Sequence, residues 1–64
     1  MTRIFELRDS QGLTQKQLAD AMGVSQVSVW QWENGKSLPS ADKLPKLAGI
    51  LHCKIEDLYD RKEA

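Results

Sequence analysis

The sequence predicts an all-α protein, five short helices around one core, in a single domain over residues 1–64. Three observations carry this. Apolar residues recur at spacings of three and four along the chain, the period of a helix with one buried face. No segment alternates with period two for long enough to make a strand. Glycines stand just beyond the apolar stripes, where helices end on a left-handed residue.

Each element has its own signals. The first helix is expected from Thr2, as N-cap, to Ser10, with Ile4 and Leu7 turned inward and Gly12 breaking it. Thr14 caps the second, "TQKQLADAMG", whose Leu18, Ala19 and Met22 form one stripe ended by Gly23. Ser25 follows two residues later as another cap. Two helices joined by so short a glycine turn must cross at a large angle. The third helix runs from about Gln26 to Asn34 and stops at Gly35. After the loop "KSLPS", Ser40 caps a fourth helix carrying Leu44, Leu47, Ala48 and Leu51. Pro45 falls in its second turn and is expected to distort that start or move it downstream. A fifth helix, about Ile55 to Tyr59, closes the domain.

Composition narrows the function classes. At 64 residues, folding buries only about 60% of the unfolded surface, so the core must be economical. The single cysteine, Cys53, rules out an internal disulfide and fits a reducing, cytoplasmic setting. "MTRIFELRDS" reads as no signal peptide, and no apolar run is long enough to span a bilayer. Nine basic and nine acidic residues balance. Their distribution matters more than their sum. Glu56, Asp57, Asp60 and Glu63 gather at the C-terminus, whereas Lys16, Lys36, Lys43 and Lys46 lie mid-chain, so a neutral total can hide a basic face. One histidine, no nucleophile–base pair and no phosphate loop leave nothing from which to build an enzyme site. No metal or cofactor is expected either; His52 has no second histidine or paired cysteine beside it.

The third helix holds the informative pattern, "VSQVSVWQWENG". At about 100° per residue, Ser25, Ser28, Val29 and Trp32 share one side, with Glu33 at its edge. Gln26, Val27, Trp30, Gln31 and Asn34 share the other. Trp32, three residues after Val29, is the core tryptophan, which leaves Trp30 on or beside the outer face. That face has no charge. Glutamine can bond N7 and N6 of adenine in a major groove, and a short apolar group can contact the thymine methyl. An ordinary polar helix surface has the same composition, so the face alone leaves both readings open.

Spacing adds to it. From Gln15 onward, apolar or small residues fall at Leu18, Ala19, Met22, Val24, Val29 and Trp32, with glycine at the turn. The stretch "LTQKQLADAMGVSQVSVWQWENGKSLPS" resembles, without a gap, the helix-turn-helix of the phage lambda repressor-like (Xre) family. The likeness runs from "RIFELRDSQGLTQ" to "IEDLY", nearly the whole chain. It implies a sequence-specific, double-stranded DNA-binding transcriptional regulator, a repressor before an activator, with its third helix entering the major groove N-terminus first.

Carried over by residue, the resemblance makes Gln26, Val27 and Gln31 the base-reading set. Gln15 and Ser25 would meet backbone phosphates, Gln15 also bracing Gln26. Asn34, Lys36 and Ser37 match the loop that rides along the phosphates, and Lys43 would reach the same strand. The resemblance also implies a partly buried bridge between Arg8 and Glu33. Spacing points the same way: Arg8 follows Ile4 by four and Glu33 follows Val29 by four, so both charges border core stripes. A coincidence of two surface charges is the alternative.

Departures from the pattern are instructive. Trp30 stands where the family usually has a small, polar or charged residue, and would pack on the sugar-phosphate wall or meet a protein partner. His52 replaces a common helix-ending glycine and Lys54 a common capping serine, each at a small stability cost. Cys53 falls on the core side as a small buried hydrophobe, and Phe5 lies off the inward stripe. One reading helix buries too little for a tight site, so a homodimer on a palindromic operator is expected, half-sites about one turn apart. If the domain is the whole protein, control falls to concentration, dimerisation or a competing protein. The competing hypothesis is an antitoxin or other protein-interaction module on the same fold, favoured by the neutral charge and by Trp30 and Phe5.

Overall fold

A computed structural model describes residues 2–59; Asp60 and Glu63 of the C-terminal acidic group lie outside the described residues. Among the described residues four α-helices form, not five: α1 (Ile4–Ser10), α2 (Gln15–Met22), α3 (Gln26–Glu33) and α4 (Leu44–Ile50). The expected fifth helix is a single 3-10 turn, Ile55–Leu58. With four residues it cannot complete the i→i−4 ladder that would make an α-helix worth forming.

Local chemistry sets the α2–α3 unit. The Thr14 hydroxyl accepts from the Gln17 amide at 3.0 Å, and the Gln17 side chain accepts from the Thr14 amide at 2.8 Å, a closed capping box. Ser25 Oγ accepts from the Ser28 amide at 3.2 Å. Between them Gly23 takes φ 71°, which a side chain would resist, and lets α2 end within two residues of the next cap. The last residue of α3 is Glu33, with Asn34 as its C-cap and Gly35, at φ 71°, just beyond it as the expected stop.

Two expected caps do not form, Thr2 for α1 and Ser40 for the fourth helix. Thr2 does not cap α1. Its hydroxyl donates to the Trp32 carbonyl at 2.9 Å, its backbone pairs antiparallel with Tyr59, and Arg3 flanks the helix instead. A buried threonine with a distant carbonyl in reach gains more there than at an exposed cap. Pro45, as expected, moves the fourth helix downstream: a 3-10 turn spans Ala41–Lys43, and α4 begins only at Leu44, with the proline in its first turn. Ser40 caps neither element through its side chain. Its hydroxyl instead helps hold the Asp42 carboxyl below the usual carboxylate range.

One cluster makes the core: Ile4 from α1; Leu18, Ala19 and Met22 from α2; Val29 and Trp32 from α3; Leu47, Ala48, Leu51 and Leu58 from the C-terminal half. Cys53 is half-buried against it, and that burial pushes its thiol pKa up. His52 ends α4 with φ 55°, the one left-handed non-glycine residue among those described. The amide of Lys54 is held by the Asp57 carboxylate at 3.1 Å, the contact that the third residue of a turn makes back to its cap position. Among the described residues no helix is long and apolar enough to cross a membrane.

Candidate nucleic-acid interface

The two faces of α3 separate as its sequence divides them. Val29 and Trp32 are buried, Trp32 with 4% of its surface exposed. Val27 and Trp30 are 62% and 46% exposed, Gln26 is exposed and Gln31 half-exposed. A helix apolar on both sides is uneconomical in a domain this small unless its outer face meets something.

A polar chain sets the pose of that helix. Arg8 is buried and donates from Nε to Glu33 Oε2 at 2.5 Å and from a terminal nitrogen to Oε1 at 3.3 Å. Its other terminal nitrogen donates to the Leu13 carbonyl at 2.6 Å. Glu33, equally buried, accepts a third bond from Gln15 Nε2 at 2.9 Å. Gln15 Oε1 in turn faces Gln26 Nε2 at 3.5 Å, a long and weak contact. The order of donors and acceptors is dictated. A carboxylate can only accept, so Gln15 must turn its amino group to Glu33 and its carbonyl to Gln26. Gln26 then offers its amino group inward and keeps a second N–H and its carbonyl oxygen free. The bridge between Arg8 and Glu33 was legible in the spacing. Its extension from Glu33 to Gln15 was not, because a neutral amide carries no charge whose burial calls for a partner.

The remaining residues of the expected interface divide by what their polar groups already do. The amides of Lys36 and Ser37 fold back onto the Gln31 carbonyl at 2.9 and 3.4 Å, so only their side chains are left to face a phosphate. Asn34 spends one N–H on the Trp30 carbonyl at 2.9 Å. Ser25 and Ser28 bring their hydroxyls within 3.1 Å of each other. Lys16 is paired with Asp20, whereas Lys36 and Lys43 make no ion pair among the described residues.

Beside this face a groove of about 400 Å³ lies between α1 and α3, with Phe5 and Trp30 on its walls and Gln15, Glu33 and Asn34 along it. Phe5 is exposed, with the Arg8 guanidinium carbon 5.1 Å from its ring centre. No group of three or more metal-ligating side chains occurs among the described residues.

Comparison with known proteins agrees with this geometry. The helix-turn-helix family profile matches residues 4–58. An uncharacterised HTH-type transcriptional regulator of Archaeoglobus fulgidus is 40% identical over 58 residues, 91% of this chain and 83% of that protein. The HTH-type transcriptional activator BcrR of Enterococcus faecalis is 31% identical over 61 residues, 95% of this chain and 30% of its own length. The cryptic phage CTXphi transcriptional repressor RstR of Vibrio cholerae is 36% identical over 59 residues, 92% of this chain and 53% of its own. A crystal structure of a transcriptional regulator from Listeria innocua matches with a TM-score of 0.78 at 27% identity, over 95% of this chain and 58% of that one. This chain thus spans most of the archaeal relative but little more than half, or less, of the other three proteins. With that profile match over nearly all of its described residues, the chain belongs to the lambda repressor-like helix-turn-helix family.

Proposed function

We propose that this chain regulates transcription by sequence-specific binding to double-stranded DNA, with α3 in the major groove and repression as the outcome. The observation that carries it is the outer face of α3: uncharged, partly apolar, and pinned to α1 and α2 by the buried Arg8–Glu33 pair and the half-buried Gln15. Gln26, Val27 and Gln31 read bases. Gln15, Ser25, Asn34, Lys36, Ser37 and Lys43 meet phosphates and set register and salt dependence. Relatives bear both signs, one named an activator and one a repressor. Repression needs only occupancy of a site, whereas activation needs a further surface for the transcription machinery. A homodimer on a two-fold operator supplies the contact area that one short helix lacks.

Titration against a palindromic operator and a random duplex at several salt concentrations tests this. Tighter binding to the operator at every salt is expected; equal binding to both would refute it.

A second reading, an antitoxin or other protein-interaction module, is favoured by the groove walled by Phe5 and Trp30. Gln15 and Asn34 lie in that groove and also belong to the phosphate-facing set, so a protein seated there would compete with DNA. Co-purification with a neighbouring-gene product, displaced by operator DNA, is the outcome that reading expects.

A further inference from the structure

The chemistry of the reading face constrains what it reads, and the following rests on the DNA-binding function proposed above. Between Gln26 and Glu33 there is no lysine or arginine. The commonest specific contact to guanine, a cation on O6 and N7, is therefore missing from α3 itself. The next cation, Lys36, lies beyond Gly35, past the end of the helix. What the face does present is two amides, on Gln26 and Gln31, and two exposed apolar side chains, Val27 and Trp30. Ser28, the remaining small polar group, already has its hydroxyl against Ser25.

Amides and apolar groups complement one base pair better than the other. An amide accepts from adenine N6 and donates to N7 with one planar group, and Gln26 keeps one N–H and its carbonyl free for that. In the major groove thymine alone carries a methyl group. Val27 leaves 62% of its surface exposed, so its apolar side chain is available to such a methyl group. Trp30 stands three residues on, adding apolar surface beside it.

We infer that the base pairs under α3 are A·T pairs, with Gln26 and Gln31 on adenines and Val27 and Trp30 on thymine methyl groups. Specificity then rests on methyl contacts and amide bonds, not on a cation over guanine.

Selection of bound duplexes from a random pool, followed by replacement of each enriched thymine with uracil, tests the inference, since uracil removes only the methyl group. A·T pairs are expected at the positions facing α3. At two or more of those thymines uracil is expected to weaken binding about fourfold, the worth of one buried methyl group. Val27→Ala should erase the uracil penalty at one thymine and leave it at another, and Trp30→Ala should do the reverse. Both side chains are exposed, so neither variant threatens folding. Selection of G·C pairs at these positions, or indifference to uracil at every thymine, overturns the inference while leaving sequence-specific binding intact. No preference for any sequence over random duplex overturns it together with the function on which it rests.

Discussion

Trp30 and Trp32 are two residues apart on one helix, yet one is 46% exposed and the other 4%. A single short helix thus has to be a wall of the core and a working surface at once. The inner side achieves this with shape, Trp32 and Val29 buried in the core that α3 shares with α1 and α2, and with one buried ion pair at its edge. The outer side has no packing to hold it and depends on the inner side for its pose. Under the proposed function, stability and specificity are carried by interleaved residues of the same eight-residue segment.

Substitutions should split along that line, and the largest effect breaks the inner side. Trp32→Ala is expected to cost ~3–5 kcal/mol, much of what holds so small a domain together. Trp30→Ala should stay within ~0.5 kcal/mol, as surface changes do. Urea midpoints for the two variants would settle this; equal losses would remove the distinction.

Next comes the ion pair. Removing Glu33 or Arg8 alone strands a buried charge and is expected to cost ~3–5 kcal/mol. Replacing both with apolar residues of similar length should cost less than either single change. That double variant should nevertheless lose operator affinity, because Gln15 then has no carboxylate to orient it and Gln26 no oriented partner. Operator affinity matching the parent protein in a folded double variant would show that the bridge only stabilises and does not aim α3.

Smaller still are the outer-face amides. Gln26→Ala and Gln31→Ala should each cost ~1–3 kcal/mol of binding, confined to particular base pairs, with the urea midpoint unmoved. A loss spread evenly over all sequences would reassign them to the backbone. At the far end of the molecule, His52→Gly should raise stability by up to ~1 kcal/mol by relieving the left-handed conformation at φ 55°. Operator binding should not respond.

How much of this the sequence discloses depends on the range of each interaction. Thr14, Ser25 and Gly23 act on neighbours within four residues, so their caps and the turn between them are readable as letters. Arg8 and Glu33 are readable because each sits on the rim of a helical stripe. Thr2 misleads: it has the chemistry of a cap, but a carbonyl 30 positions away takes its hydroxyl. Gln15–Glu33 escapes because the neutral amide carries no charge whose burial calls for a partner. The closing segment, expected as a helix over about Ile55 to Tyr59, is one 3-10 turn, because the length that decides between the two is a matter of two or three residues.

If DNA meets the outer side of α3 and leaves the inner side alone, the two indoles report it directly. In a proton–nitrogen correlation spectrum, each tryptophan gives its own side-chain N–H resonance. On titration with an operator duplex, the Trp30 indole and the amides around Gln15 and from Ser25 to Gln31 should shift strongly. Trp32 and the α4 segment should barely move. A shift centred on α4 and the Ile55–Leu58 turn, with Trp30 silent, would contradict the account.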